Sequence, residues 1–226
     1  MTGINKELTV IIPIWNDKEH LGRCLNSIKA ANNNRIADVL IIDDGSDCDY
    51  SDIIVEFDLK ISVHKNDKNM GVGYSRKKGL ELSDTEWITY IDSDDYIRPD
   101  FFNQFIQFRQ DYPGKLMYCG KIDVVEDSSK TNNLSTPIHF GGKFFNIRLF
   151  SKYGIKMSSE RMAEDIYLGN VLQYLNLAYD FMVISDKASI YVWQHTNKKS
   201  LTHVNNDTRY ISLMEFNAWI MCCAKL

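Results

Sequence analysis

Residues Tyr90 to Tyr96 read Tyr-Ile-Asp-Ser-Asp-Asp-Tyr, so Asp92, Asp94 and Asp95 crowd directly behind the apolar run Trp87 to Ile91. A short apolar run of this kind reads as a strand, and a strand that ends in acids carries them to the rim of a sheet. Carboxylate oxygens gathered at a rim suit a hard divalent ion, Mn²⁺ or Mg²⁺. An ion held by only one or two protein acids often clamps a phosphate as well. The chemistry expected is that of an enzyme acting on a phosphorylated donor. The plainer alternative is an acidic turn that only solvates a strand end. It is weakened by a second acidic strand end, where Ala37 to Ile42 runs into Asp43-Asp-Gly-Ser46.

The hydrophobic pattern shows what could position those acids. Leu8 to Ile14 is a buried strand rich in β-branched residues. Asn16, with Glu19 three residues on, has the form of a helix-starting box. Leu21, Leu25 and Ile28 then share one helical face, and Asn32 to Asn34 end the helix. Ala37 to Ile42 is a second strand, followed by a short helix through Ile53 to Phe57. Ile61 to His64 is a third strand, followed by a polar turn from Asp67 to Gly73. A helix over Tyr74 to Leu82 leads into the fourth strand, Trp87 to Ile91. Strands and helices that alternate with short connections predict a mostly parallel sheet with helices on both faces. Ligands bind such sheets at the carboxyl ends of the strands. Asp43 and Asp44 are therefore expected in one crevice with Asp92 and Asp94.

Further on, Pro99 opens a helix whose apolar face is Phe101, Phe102, Phe105 and Phe108. Leu116 to Val125 reads as strand, Glu126 to Pro137 as a polar loop, and Phe144 to Tyr153 as helix. Glu164 and Asp165 fall at the start of a helix over Arg161 to Leu175. Phe181 to Ile184 and Ser189 to Trp193 read as strands, and Asp207 to Ala224 as a closing helix. With no internal repeat or linker, the chain of 226 residues is expected to form a single domain.

The net charge of −4 advertises no nucleic-acid surface, which leaves nucleic acid the least favoured partner. Nothing resembles a secretory signal or a membrane-spanning run, although Ile211 to Met221 leaves a peripheral membrane contact open. Cys24, Cys48, Cys119, Cys222 and Cys223 are scattered and lack metal-site spacing, so free thiols in a reducing cytoplasm are expected. His20, His64 and His139 are assigned no chemical role.

Five motifs occur in a fixed order: Val10-Ile-Ile-Pro-Ile-Trp-Asn16, Ile42-Asp-Asp-Gly-Ser46, Asn69-Met-Gly71 with Arg76, Ile91-Asp-Ser-Asp-Asp95, and Ala163-Glu-Asp165. The ordered set resembles family 2 of the nucleotide-sugar-dependent glycosyltransferases, which have the GT-A fold. The match is close from about Val10 to Phe102 and looser through His195. Trp15 departs from the family, which more often has Tyr there, but keeps an aromatic face.

The resemblance implies a nucleotide-sugar donor, a UDP-sugar above all, bound by about residues 8–100, with an acceptor site from about 101–226. It implies that Asp44 accepts the uracil N3 hydrogen, with Trp15 and the Pro13 backbone flanking the base. Asp44 precedes Gly45, whose missing side chain lets a flat ring approach the backbone; an acid in that place serves equally to cap the next helix. Asp92-Ser93-Asp94 resembles the family's Asp-x-Asp metal motif. By that likeness Asp94 ligates Mn²⁺ or Mg²⁺, while Asp92, with Ser93 beside it, meets the ribose or reaches the metal through water. Asn69, Gly71 and Arg76 belong to the donor site, with the arginine on the diphosphate, though alone they read equally as a polar turn. Asp165 is the expected general base for inverting transfer to an acceptor hydroxyl on a glycan, lipid carrier or other molecule, with Glu164 orienting it or holding the acceptor. His195 is expected to complete the metal or diphosphate site, with Lys198 and Lys199 near phosphate and His203 without a role.

Two other functions compete. A nucleotidyltransferase would need a Gly-rich basic signature after the first strand, and Pro13-Ile-Trp-Asn16 lacks it. A non-catalytic nucleotide-sugar binder would have lost the base or the metal acids, and both are present.

Overall fold

In the computed structural model the described residues are 7–32, 36–127, 130–134, 139–159 and 164–194. The elements run β1 (Leu8–Ile14), α1 (Lys18–Ala31), β2 (Ala37–Asp43), α2 (Ser51–Ile54), β3 (Ile61–Lys65), α3 (Val72–Leu82), β4 (Trp87–Tyr90), β5 (Tyr96–Ile97) and α4 (Phe101–Asp111). They continue with β6 (Met117–Cys119), β7 (Ile122–Asp127), β8 (Lys130–Leu134), β9 (Lys143–Asn146), α5 (Arg148–Lys152), α6 (Glu164–Tyr179), β10 (Met182–Ile184) and β11 (Tyr191–Gln194).

Strands buried on both faces belong at the centre of a sheet. All of β1 is buried, and it pairs in parallel with β2 on one side and β4 on the other. The main sheet has the order β10-β6-β9-β4-β1-β2-β3. Only β9 runs against its neighbours, pairing antiparallel with both β4 and β6. The architecture is the mixed, mostly parallel α/β arrangement expected from the sequence.

The two-residue period of a strand sends alternate side chains to opposite faces. Leu8, Val10, Ile12 and Ile14 pack on one face with Leu21, Leu25 and Ile28 of α1 and with Phe101, Phe105 and Phe108 of α4. Ile11 packs on the other face with Ile88, Tyr90 and, from α6, Leu168, Val171 and Leu172. Trp87 meets Phe105 and Phe108 edge-on, at 5.5 and 5.7 Å. The phenylalanine stripe of α4 is therefore core.

A smaller sheet, β5-β11-β7-β8, stands beside the first. The run read as one strand over Leu116 to Val125 breaks at Gly120 and Lys121, which sends β6 to one sheet and β7 to the other. Within Glu126 to Pro137, where a loop was expected, Lys130–Leu134 instead pairs back on β7. Backbone pairing at a sheet edge does not need apolar side chains, so polar sequence concealed it. Phe144 to Tyr153 was expected to be helical; Lys143–Asn146 is strand, wholly buried between β4 and β6, and helix begins only at Arg148. A short apolar run fits either period, and tertiary pairing decided it.

The helix-starting box at Asn16 does not form. α1 starts after Asp17 without a side-chain cap bond. Asn16 has φ 49° and uses its amide on Asp47, whose N–H it accepts at 2.9 Å. Among the described residues no helix is long and apolar enough to cross a membrane. Cys24, Cys48 and Cys119 are free thiols. The helix expected over Asp207 to Ala224, which includes Ile211 to Met221 with its proposed membrane contact, lies outside the described residues, as do Cys222 and Cys223.

A candidate active site at the carboxyl ends of the strands

Parallel pairing of β1, β2 and β4 brings three strand ends to one rim. At the end of β1, Pro13 is buried, whereas Trp15 keeps 52% of its surface exposed. An aromatic face left open at a strand end is available for stacking.

At the end of β2, Asp43 accepts the Ser46 N–H at 2.8 Å, and its other oxygen lies 3.4 Å from the Lys65 ammonium. Asp44 is 3% exposed. Its Oδ1 accepts from Asn66 Nδ2 at 2.8 Å and from the Met70 N–H at 2.9 Å, and its Oδ2 accepts from the Gly71 N–H at 2.7 Å. Asp44 thus fastens the turn containing Asn69 to the strand end. A carboxylate has about four acceptor positions, so one remains for a ligand donor.

Gly45 takes φ 73°, and a Cβ there would lie 2.5 Å from the Lys68 carbonyl carbon. The space expected to admit a flat ring is filled by the backbone of this same turn. Gly71 occupies the N-cap position of α3, with its N–H committed to Asp44.

At the end of β4, Arg76 Nη2 donates to Asp92 Oδ1 at 2.5 Å. The arginine is 6% exposed and lies over the Phe140 ring at 4.6 Å, and its carbonyl accepts from the Tyr90 hydroxyl. Ser93 is buried and donates its hydroxyl to Asp17 Oδ2 at 2.7 Å, while Asp17 Oδ1 meets His20 Nδ1 at 2.5 Å. The Asp94 carbonyl accepts from the Arg23 guanidinium, and Arg23 also lies over the Tyr96 ring.

Asp95 accepts the Tyr191 hydroxyl at 2.6 Å and the Gln194 N–H at 2.8 Å. Burial pushes its carboxyl well above the usual range, and the charges of Asp92 and Asp94 add to the push. The Tyr191 phenol is pushed well up as well, by burial first and then by Asp95 and Asp92. Asp95 is therefore a structural tie between the acidic turn and β11.

Asp165 stands in the first turn of α6, with a side chain 26% exposed. Its Oδ2 lies 3.4 Å from His139 Nδ1, and the His139 ring lies 5.0 Å from that of Trp193. Lys143 of β9 is 1% exposed and donates to the Gly141 carbonyl at 3.4 Å. Burial pushes its ammonium down; the charges of Cys119 and Asp165 oppose this, and that of Arg76 adds to it. Lys143 thus feels both Arg76 and Asp165. Glu164 opens α6, but its side chain lies outside the described residues, as do His195, Lys198, Lys199 and His203.

Among the described residues no three His, Cys, Asp or Glu side chains are grouped to hold a metal by themselves. Mg²⁺ and Mn²⁺ sites that use one or two carboxylates and take their other oxygens from phosphate and water need no such group. Asp92 and Asp94 fit that donor set.

Sequence reasoning passed over Asp17, Arg23, Lys143 and Tyr191, and assigned His139 no chemical role. Of these only Lys143 carried a signal, a lone cation in the apolar run Phe140-Gly-Gly-Lys-Phe-Phe145.

Residues 9–165 match the model of Glycosyl transferase family 2. The chain is 30% identical over 126 residues to EpsH of Bacillus subtilis (strain 168), named as a glycosyltransferase, a match covering 55% of this chain and 36% of that protein. It is 23% identical over 204 residues to the glycosyltransferase GlyA of Streptococcus pneumoniae, covering 76% and 29%. The chain thus spans about a third of the length of these curated relatives. Among solved structures, residues 1–349 of S. aureus TarS in complex with UDP-GlcNAc superpose with a TM-score of 0.73 at 17% identity, covering 93% of this chain and 65% of that one. At that identity the likeness is one of fold.

Proposed function

The chain belongs to glycosyl transferase family 2, and on that premise we propose that it moves a sugar from a nucleotide-sugar donor, a UDP-sugar, to an acceptor hydroxyl with inversion. The observation that carries this reading is the convergence of Asp44, Arg76, Asp92 and Asp165. Two strand ends supply Asp44 and Asp92, Arg76 bonds Asp92, and the neighbouring residues Phe140 and His139 meet Arg76 and Asp165. The UDP and UDP-GlcNAc complexes of TarS, a protein of the same fold, support UDP as the nucleotide.

In this reading uracil stacks on exposed Trp15 beside the Pro13 backbone and gives its N3 hydrogen to the remaining acceptor position of Asp44. Asn69 and Gly71, in the turn that Asp44 holds, lie along the ribose and diphosphate. Arg76 is stiffened by Phe140 and Asp92 and faces the diphosphate. Ser93 acts from behind, fixing the acidic turn through Asp17.

Asp94 would hold Mn²⁺ or Mg²⁺ directly, and Asp92, already bonded to Arg76, would reach it through water or meet the ribose. Bound there, the ion neutralises charge on the departing diphosphate. Asp165 takes the proton as the acceptor oxygen forms its bond to the anomeric carbon and the bond to the diphosphate breaks. Glu164 holds the acceptor or orients Asp165, and His195, next after β11 in sequence, completes the metal or diphosphate site. The acceptor is a glycan, a lipid-linked sugar or another hydroxyl compound, met by the part of the chain after residue 100. The reaction is placed in the cytoplasm, with a peripheral membrane contact through Ile211 to Met221.

Calorimetric titration with UDP, GDP, ADP and CDP, each in Mn²⁺ and again in EDTA, tests the donor site. Binding of UDP alone, lost in EDTA, is the expected result. Tighter binding of another nucleotide, or equal UDP binding in EDTA, overturns the assignment of base or metal.

A further inference from the structure

The segment 139–143 touches both Arg76, which bonds Asp92, and Asp165 at the start of α6. Phe140 lies under the Arg76 guanidinium at 4.6 Å and meets Tyr90 edge-on at 4.9 Å. Gly141 lets Tyr191 close in, since a Cβ there would stand 2.6 Å from its ring. His139, at the head of the segment, places Nδ1 3.4 Å from Asp165 Oδ2 while its ring packs on Trp193 at 5.0 Å. Its side chain is 33% exposed and that of Asp165 is 26% exposed, so both are open in part to solvent.

We infer that His139 is a positioning residue for Asp165, its Nδ1–H holding Oδ2 so that Oδ1 faces the acceptor hydroxyl. This rests on Asp165 being the base under the reading above. A carboxylate at the start of a helix can turn about its own bonds, and a proton acceptor must be aimed to within hydrogen-bond reach. Trp193 restricts the imidazole, and the imidazole restricts the carboxylate. The separation of 3.4 Å is longer than a formed hydrogen bond. Contacts of this kind tighten when substrate fills the site.

The contact dictates a tautomer. A neutral imidazole that donates from Nδ1 carries its proton there, whereas free histidine favours Nε2. Long-range nitrogen–proton correlation spectra of the ¹⁵N-histidine-labelled protein, above the ordinary histidine titration range, read this directly; His139→Gln identifies the signal. The expected result is an Nδ1–H imidazole in the parent that reverts to Nε2–H in Asp165→Ala. An Nε2–H form in the parent, or an Nδ1–H form that persists in Asp165→Ala, overturns the inference. This readout needs no donor or acceptor.

Rates of UDP release from UDP-GlcNAc in Mn²⁺ then test the role. His139→Ala should lower kcat by about tenfold to a hundredfold with little change in KM. His139→Asn, which restores an N–H near the place of Nδ1, should recover most of that loss. Equal loss in both variants, or no loss in His139→Ala, overturns the positioning role. Full activity in Asp165→Asn, or no UDP release by the parent, overturns instead the base and donor reading on which the role depends, while the tautomer still decides the contact.

Discussion

Tyr191 and Asp95 stand 96 residues apart in the chain and meet at 2.6 Å, both almost wholly buried. The same phenol oxygen accepts the Asp92 N–H at 3.2 Å, and the second oxygen of Asp95 takes the Gln194 N–H. The acidic turn behind β4 is therefore fastened to β11 by three bonds around two side chains. Asp92 and Asp94 flank the fastening, so their aim depends on a strand of the smaller sheet.

Tyr191→Phe keeps the ring but removes the hydroxyl. A buried carboxyl that loses its donor costs about 1–3 kcal/mol. Urea denaturation should show that loss, and calorimetry should show weaker UDP binding in Mn²⁺. An unchanged denaturation midpoint would mean that the bond contributes nothing to the fold.

Asp44 is both an anchor and, in the proposed site, a base reader. Asp44→Asn replaces one acceptor oxygen by an NH₂ group that cannot accept, and Met70 and Gly71 donate to different oxygens. At least one donor is left without its partner, at a cost of about 1–3 kcal/mol. UDP affinity should fall by about tenfold or more. Cytosine has no N3 hydrogen to give Asp44, so CDP should bind the variant no less tightly than it binds the parent. Equal UDP affinity in variant and parent, measured by calorimetry, removes Asp44 from base recognition.

The acids at the strand ends were legible because each follows an apolar run of strand length, and sheet physics fixes where such ends go. Asp44 and Asp92 could thus be placed at one rim from pattern alone. What the pattern lacked was partner identity. Asp44 reads as an acid with vacant oxygens, yet the chain folds Met70 and Gly71 onto it. Gly45 reads as bare backbone, yet Lys68 fills the space. Phe144 and Phe145 fit helix or strand equally, and only β4 and β6 on either side select strand. His139 sits between Ile138 and Phe140 with nothing to mark it, because its partners Asp165 and Trp193 are distant in sequence.

Asp165→Asn keeps the shape of the base but removes its ability to take a proton. UDP affinity in Mn²⁺ should stay within about twofold of the parent, because the substitution lies at α6 and not at the strand-end acids. Transfer should fall by about 10²–10⁴-fold, the usual contribution of a general base. Rates with a UDP-sugar and its acceptor decide this, and full activity would remove Asp165 from the chemistry.

Lys143 offers a test of stability against pH. The residue is 1% exposed, and burial holds its ammonium below the ordinary lysine range, with Cys119 and Asp165 opposing and Arg76 reinforcing the shift. The unfolded chain therefore binds this proton more tightly than the fold does. Unfolding takes up a proton between the two values, so stability rises with pH across that window. The contribution is complete above the unfolded lysine value and is lost as pH falls through the folded one. Below that window the fold carries a buried charge that it disfavours. Lys143→Met keeps the length of the side chain and removes the charge, and should stabilise the protein near neutral pH by on the order of 1 kcal/mol. The gap between variant and parent should narrow toward about pH 10, where the unfolded lysine also loses its proton. Urea midpoints at neutral and alkaline pH measure both effects. A variant less stable than the parent at neutral pH would show that attraction to Asp165 outweighs the cost of burial.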